Sequence, residues 1–199
     1  MGKHVASLII AAIILGITTY AQDYNKLHFQ DCGSKSADIR KVDITPMPLY
    51  NPGPASFTFI ADLKRPITVV EVSLDILRTV NGIRLPIKCY VVNGQNVGSC
   101  TYPDLCNFLK GLLPELLTPE NCPQALVDIG VDCTCPMDIK PQLLSIIEQP
   151  IDLPDATQTA ASFLASGNFN MTVTVSESNP SAPRPYGCGK VAFTVKQKK

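Results

Sequence analysis

The sequence has few of the side chains that enzymes most often use for catalysis. It contains two histidines, and we expect the second, His28, to lie beside a frayed N-terminus. No G-x-S-x-G motif, which would present a nucleophilic serine on a sharp turn, occurs. Asp152 and Asp155 could form an acid–base pair, but the prolines that flank them are typical of a solvated loop. We therefore predict a protein that is not an enzyme, without catalytic residues or a cofactor.

The chain also lacks an excess or a tract of basic residues. Lysine and arginine total 17, aspartate and glutamate total 17, and the formal net charge is zero at pH 7. Without a basic surface there is no electrostatic basis for following a phosphate backbone, so nucleic acid is an unsuitable partner. The charged fraction is only 17%, and 17 prolines are present. Both features are typical of β structure with many turns.

An apolar run long enough to span a bilayer is missing as well. The N-terminal segment Val5 to Ile17 has 13 residues, fewer than the roughly 20 that a spanning helix needs. It follows the basic Lys3 and precedes small residues at the −3 and −1 positions of a cleavage site after Ala21. We predict a signal peptide over residues 1–21, with a signal anchor as the alternative, and one domain over residues 22–199. The protein would then be secreted or lysosomal.

What the sequence does contain is an even number of cysteines. All eight lie after the predicted cleavage site, and an oxidising compartment would join them in four disulfides. Eight cysteines allow 105 pairings, and the sequence alone does not choose among them. Cys133 and Cys135 are so close that a bond between them would close a strained ring, so we expect each to have a different partner. The weaker alternative is a zinc site with no histidine nearby, whose ligands would be Cys106, Cys122, Cys133 and Cys135.

Period-two alternation of apolar and polar residues predicts strands with one buried face. The clearest examples are Val70 to Ile76, Met171 to Val175 and Val191 to Val195. Further strand candidates, separated by clusters of proline and glycine, are Ile39 to Thr45, Ser56 to Asp62 and Ile83 to Val92. This spacing favours a mostly β fold, an antiparallel sandwich or cup.

One segment has helical rather than β periodicity. Apolar residues from Pro103 to Leu113 recur at intervals of three and four, and a proline suits the first turn of a helix. Cys106 falls on the apolar side. A disulfide could therefore tie this short helix to the body of the protein.

Contiguous apolar residues also occur between the predicted strands, where connections are normally polar. They favour contact with a lipid, a membrane or a protein partner; the alternative is that they cover the open end of a filled sandwich. The residues concerned are Leu112, Leu113, Leu116, Leu117, Leu143, Leu144, Ile146, Ile147, Ile151, Leu153, Phe163 and Leu164.

Asn170-Met171-Thr172 is an N-glycosylation sequon. Asn170 has the same parity as Thr172 and Thr174, the polar positions of its predicted strand. We therefore expect Asn170 to lie on the outward face, where a glycan could be carried.

Several motifs together resemble one known family. The runs VGSCTYPDLC (97–106) and CPQALVDIGVDCTCP (122–136), the SGNF at 166–169 and the isolated late Cys188 are similar to the ML (lipid-recognition) domain family. The likeness extends from about Phe29 to Val195. The order of the cysteines and their spacing carry its specificity, whereas the strands between them match in character alone.

The resemblance implies a particular fold and particular disulfides. The fold would be an immunoglobulin-like β-cup, in which two antiparallel sheets part at one end around an apolar cavity, with a helix near the rim. Val72, Leu74, Val173 and Phe193 would then line the cavity wall. The disulfides implied by the resemblance are Cys32–Cys188, Cys89–Cys100, Cys106–Cys135 and Cys122–Cys133.

The resemblance also implies a function. A member of this family lifts a glycosphingolipid from the lysosomal membrane and presents its headgroup to a water-soluble β-hexosaminidase, without being an enzyme itself. The partners implied here are therefore a lipid, the surface of a membrane and a β-hexosaminidase. Residues expected at the rim, in contact with the membrane, are Leu112, Leu113, Leu116, Ile146, Ile147, Phe163 and Leu164.

The sequence departs from the family pattern in places that bear on headgroup choice. The family's tryptophans at the rim and the N-terminus are replaced by Phe29, Arg84 and Phe163, and the loop from Cys89 to Cys100 is longer. A general carrier of phospholipid, fatty acid or sterol, without a hydrolase partner, is therefore the first alternative. A β-sandwich interaction domain with a filled core is the second, and a hydrolase is the weakest.

Overall fold

Strands make up most of the chain, as the period-two alternation predicts. The computed structural model describes residues 23–92, 94–104, 106, 108, 118–136, 138–158, 161–178 and 185–198. Its strands are β1 (His28–Asp31), β2 (Ala37–Thr45), β3 (Leu49–Asn51), β4 (Gly53–Leu63), β5 (Val70–Val80), β6 (Ile83–Ile87), β7 (Tyr90–Val92), β8 (Gln95–Val97), β9 (Thr101–Tyr102), β10 (Leu143–Leu153), β11 (Gly167–Glu177) and β12 (Pro185–Gln197).

The larger of two main sheets is built around β11. Its strand order is β1-β12-β11-β5-β6, with β9 beside β5, and these pairs are antiparallel. The short β3 adds to β12 in parallel. Since Val173 is opposite Leu74 and Phe169 is opposite Phe193, the apolar positions of neighbouring strands share one face.

The smaller sheet has the order β10-β4-β2 and is also antiparallel. Ile44 is opposite Phe57, and Ile151 is opposite Ala55, so these apolar side chains again share a face. The register shifts between Ile146 and Gln149, where β10 bulges. A separate antiparallel pair joins β7 to β8.

Two packed clusters stabilise the sheets. The first, here called the sheet cluster, joins side chains of both sheets, and its buried members are Leu49, Ala55, Ile76, Phe169 and Val195. The second, the disulfide cluster, packs the described part of the segment between β9 and β10, here called the cysteine-rich segment, against the smaller sheet. Its buried members are Ala61, Leu63, Cys106, Leu126, Val131, Cys133, Ile139 and Leu144. Because Ala55 and Ala61 lie near opposite ends of β4, the clusters occupy opposite ends of the sandwich.

All eight cysteines form disulfides, and the pairs are those that the family resemblance implies. Cys32–Cys188 joins the end of β1 to β12, and Cys89–Cys100 closes the segment that contains β7 and β8. Cys106–Cys135 and Cys122–Cys133 hold the cysteine-rich segment. The zinc alternative is wrong for these four residues, since paired sulfurs supply no thiolate ligands.

The strand predictions are confirmed except that one strand is divided, and two other expectations are wrong. The segment Leu143 to Leu153, interpreted as an apolar loop, is the strand β10, because its apolar residues pair with β4. His28 does not lie beside a frayed terminus but begins β1, opposite Ala192. The predicted strand Ile83 to Val92 is divided into β6 and β7.

Helical structure is limited in the residues that the structure describes. A short helix, α1 (Gln124–Val127), lies inside the cysteine-rich segment and was not predicted. Most of the predicted helix from Pro103 to Leu113 falls outside the described residues, although Cys106 and Phe108 are helical. The Phe108 N–H donates to the carbonyl oxygen of Asp104 at 2.9 Å. Among the described residues, no helix is long and apolar enough to cross a membrane.

The disulfides are expected to stabilise the fold to different extents. In the chain-entropy model the bond Cys32–Cys188, which spans 156 residues, contributes about 5 kcal/mol, and Cys89–Cys100, which spans 11, contributes about 3 kcal/mol. Replacing each pair by alanine and measuring the free energy of unfolding in denaturant should give this order. An equal or reversed loss would show that the long bond acts through local packing and not through the unfolded chain.

Candidate functional site

Between the two clusters lies a belt of apolar side chains that are only partly buried. Each faces the opposite sheet, because each shares its face with a member of the sheet cluster or a neighbour of it. The belt consists of Val42 and Phe57 from the smaller sheet and Leu74, Val173, Val175 and Val191 from the larger one. Cores are normally close-packed, so partial exposure at these inward positions makes the belt a candidate lining for a bound apolar ligand.

The four residues predicted for the cavity wall all share the inward face of the larger sheet, but not the same surroundings. Leu74 and Val173 are opposite each other and belong to the belt, and Leu74 also packs on the sheet cluster. Val72 is 2% exposed, so little of its surface remains for a ligand. Phe193 packs on the sheet cluster and stacks on Phe169 with ring centroids 5.3 Å apart.

The smaller sheet contributes aromatic surface that sequence reasoning did not assign to the wall. Phe57 and Phe59 stack with centroids 6.3 Å apart, and both are partly buried. The signal was present, since alternate positions of the predicted strand Ser56 to Asp62 include both phenylalanines. The sequence did not indicate which sheet this strand would face.

A second apolar surface lies outside the sandwich and is also one that sequence reasoning missed. It is formed by β6 and β7, and we call it the β6–β7 patch: Ile83 (62% exposed), Leu85 (43%), Tyr90 (39%) and Val91 (65%). The sequence did contain a signal for this surface. Apolar residues occur at both odd and even positions of this stretch, whereas a half-buried strand would alternate strictly.

Backbone geometry and a disulfide hold the β6–β7 patch in place. Cys89–Cys100 crosses it, and Gly98 has a φ of 102°, with the Lys88 carbonyl oxygen where a Cβ would be. A side chain at Gly98 would therefore clash with the backbone as well as strain it. The ring centroid of Tyr90 is 6.5 Å from that of Phe163, so the patch adjoins a predicted rim residue.

The predicted rim residues are divided among three environments. Phe163 and Leu164 lie in a 3-10 turn (Ser162–Ala165) and pack on the sheet cluster. This placement agrees better with the alternative prediction, in which these residues cover the end of the sandwich, than with a role at the rim. Ile146 packs on the disulfide cluster, whereas Ile147, at the bulge of β10, is 64% exposed. The remaining three, which lie outside the described residues, are Leu112, Leu113 and Leu116.

Polar contacts near these surfaces position the backbone. Arg78 donates through Nε to the carbonyl oxygen of Ser166 at 2.8 Å, which anchors the end of the 3-10 turn to β5. The Tyr102 hydroxyl donates to the Gly98 carbonyl at 3.1 Å, and burial raises the pKa of this phenol. Backbone N–H groups of Ser34 and Gly33 hold the pKa of Asp31 below its ordinary value, so this turn keeps its charge in mild acid.

The candidate acid–base and metal-binding groups of the described residues do not cluster at the belt. Within the described residues no group of histidine, cysteine, aspartate and glutamate could hold a metal ion. Asp152 and Asp155, the candidate acid–base pair, lie at the end of β10 and just beyond it, and hydrogen bonds from Thr157 lower the pKa of Asp155. An open depression of about 620 Å³ is lined by Thr45, Ser56 and Pro150, which have outward parity, and also by Ala55 and Ile151 of the sheet-cluster end.

The fold and the site define a class: a small disulfide-bonded β-sandwich with partly exposed apolar side chains on the inward faces of its sheets. The model of the ML domain family matches residues 26–176. The chain therefore belongs to the ML domain family, whose members bind lipids, and family membership supports a non-enzymatic role.

One curated relative indicates the position of the chain within the family. The chain is 28% identical over 170 residues to the ganglioside GM2 activator of Macaca fascicularis, covering 83% of this chain and 80% of that protein. The protein described here is thus a GM2-activator-like member. A crystal structure of a Niemann-Pick type C2 protein from Japanese carpenter ant aligns with 11% identity and a TM-score of 0.39, covering 85% of this chain and 99% of the other.

A charge in the belt should remove bound lipid. Val173→Asp places a carboxylate on half-buried apolar surface, where no partner would compensate its desolvation, so co-purified lipid should fall below detection in native mass spectrometry. Thr174→Asp is the matched control, since Thr174 follows on the outer face of the same strand. Circular dichroism would establish that both variants are folded. Undiminished lipid in folded Val173→Asp would mean that the belt is not the wall of a lipid site.

Proposed function

We propose that the protein binds the acyl chains of a membrane lipid in the apolar space between its sheets, extracts that lipid and presents it to a soluble glycosidase. The observation that carries the proposal is the belt, partly exposed apolar side chains on the inward faces of both sheets. Membership of a lipid-binding family supports the same proposal. The four disulfides fit an oxidising compartment, and we propose secretion or a lysosomal location after removal of residues 1–21.

The energetics of extraction require such a space. Each methylene that leaves a bilayer for water costs about 0.8 kcal/mol unless another apolar surface receives it. A ceramide with roughly 30 methylenes would therefore face a cost of about 25 kcal/mol. The belt and the phenylalanines Phe57 and Phe59 offer the replacement surface, with the headgroup left in water.

The β6–β7 patch suits contact with an anionic membrane. Its large side chains are exposed, and no acidic residue occurs between Asp75 and Asp104, whereas Arg84 and Lys88 lie within it. Apolar side chains would enter the interface while the two cations meet acidic headgroups. The patch adjoins Phe163, so docking would place the end of the sandwich near the source of the lipid.

The glycosphingolipid and the glycosidase are inferred from the relative. The ganglioside GM2 activator is named for a glycolipid, and this chain shares 28% identity with it. We propose a glycosphingolipid as ligand and a β-hexosaminidase as partner. The alternative is a general lipid carrier, which the replacement of the expected rim tryptophan by Arg84 favours.

Two measurements separate these functions. Native mass spectrometry of the protein purified from a eukaryotic secretory host should detect bound lipid; a lipid-free protein that also takes up none from vesicles would contradict any carrier function. Release of sugar from membrane-bound ganglioside by β-hexosaminidase, with and without the protein, then tests presentation. Lipid transfer between vesicles without an increase in hydrolysis would leave the carrier and exclude the activator.

Membrane binding should depend on the β6–β7 patch. Ile83→Ser with Leu85→Ser removes apolar surface that the membrane would bury, so partitioning onto anionic vesicles should fall about tenfold or more. The double variant Val69→Ser with Leu143→Ser is the control, because these side chains are similarly exposed (44% and 50%) elsewhere. Equal losses in both variants would mean that the patch has no special role.

The same binding should increase in acid. Near pH 4.5 a fraction of the carboxylates is protonated, so the net charge becomes more positive and attraction to anionic vesicles grows. Asp62 and Asp132 contribute little to the change, since hydrogen bonds from Lys64 and Thr134 lower their pKa values. Cosedimentation with anionic vesicles at about pH 4.5 and 7.5 measures the change in binding. Equal rates of lipid transfer between vesicles at the two pH values would argue against a lysosomal role.

A further inference from the structure

The outer face of the larger sheet carries a row of side chains around Asn170. Asn170 is opposite Ala192 on β12 and Leu77 on β5, and Ala192 is in turn opposite His28 on β1. Asn170 is exposed. Because Ala192 is small, a shallow shelf is left between Asn170 and the ring of His28.

The segment before β1 folds back over this shelf. The Tyr24 N–H donates to Oγ1 of Thr194 at 2.7 Å, and Asp23 forms an ion pair with Lys196 at 2.8 Å. The Tyr24 ring lies 5.2 Å from that of His28, centroid to centroid. Its hydroxyl donates to Oδ1 of Asn170 at 3.5 Å, so a fixed aromatic side chain stands directly beside the sequon asparagine.

We propose that Asn170 carries an N-linked glycan and that the first sugar packs on Tyr24 across the Ala192 shelf. The sequon is complete, since Met171 and Thr172 follow. The hydroxyl of Tyr24 uses the amide oxygen of Asn170, whereas the sugar bonds to the amide nitrogen, so the two contacts are compatible. The apolar face of the sugar would bury part of the tyrosine ring from water.

The covalent step is the ordinary transfer performed by a host oligosaccharyltransferase. The Asn170 side-chain nitrogen attacks the anomeric carbon of a polyprenyl-diphosphate-linked oligosaccharide and forms a C–N bond. The bond from that carbon to the diphosphate oxygen breaks, the polyprenyl diphosphate leaves, and the nitrogen loses one proton. No oxidant or reductant takes part.

This placement is independent of the lipid site. Asn170 has the parity opposite to that of Met171 and Val173, which face the smaller sheet. A glycan on Asn170 therefore covers the outer face and leaves the belt free. It would also hold the segment before β1 against the sheet through Tyr24.

Occupancy is tested on the full chain secreted from a glycosylating eukaryotic host. Intact mass should fall by one glycan on treatment with peptide N-glycosidase, and Thr172→Ala, which keeps Asn170 but ends the sequon, should lack the glycan altogether. Thr174→Ala, one outward position further along β11, is the control and should be glycosylated. A mass difference between the wild type and Thr172→Ala no larger than the substitution itself accounts for would overturn the proposal.

Packing on Tyr24 is tested by thermal unfolding. An endoglycosidase that leaves the first sugar on a high-mannose glycan should preserve Tm, whereas complete removal should lower it by about 2–4 °C; Thr172→Ala controls for the aspartate that complete removal creates. Tyr24→Ala should abolish this difference and Tyr24→Phe, which keeps the ring, should retain most of it. A Tm difference of the same size in Tyr24→Ala would show that the sugar does not use the ring.

Discussion

The partial exposure of the inward apolar side chains at the middle of the two sheets is the constraint on which the rest of the structure depends. An apolar side chain that faces empty space or water forfeits the dispersion contacts and the burial that stabilise an ordinary core. The belt, with Val42 and Phe57 opposite Leu74 and Val173, is such a region. Stability must therefore come from elsewhere, and the two clusters at the ends of the sandwich supply it. Phe169 and Cys133, each 0% exposed, mark how tightly those ends are packed.

Covalent bonds compensate for the incomplete core. A chain of this length can bury enough surface to fold without disulfides. A fold whose belt stays partly exposed gains less stability from burial. Cys32–Cys188 ties β1, an edge strand of the larger sheet, to β12, and two further bonds pin the cysteine-rich segment on the smaller sheet. The disulfides and the packed clusters at the two ends thus compensate together for the partly exposed belt.

The sequence predicted those features whose causes are local. Alternation in Val70 to Ile76 and Met171 to Val175 indicated strands and the correct inward parity, because side-chain direction in a strand follows from position alone. The strand β10 was missed, since its bulge after Ile146 interrupts the period and Pro150 suggested a connection. The β6–β7 patch was missed for another reason: apolar residues of both parities marked an irregular stretch, but the exposure of Ile83 and Val91 depends on what packs against them in the folded chain. The disulfide pairs came from family resemblance, as cysteine spacing leaves many pairings open.

The bulge in β10 has a consequence for how this protein behaves at high concentration. β10 is an edge of the smaller sheet, and a long, flat, apolar edge is a template onto which another chain can add a strand. Here the irregularity between Ile146 and Gln149 twists the edge, and Pro150 has no N–H to offer an incoming strand. A cup that must keep an apolar interior and an exposed Ile147 is thereby protected from fibrillar self-association.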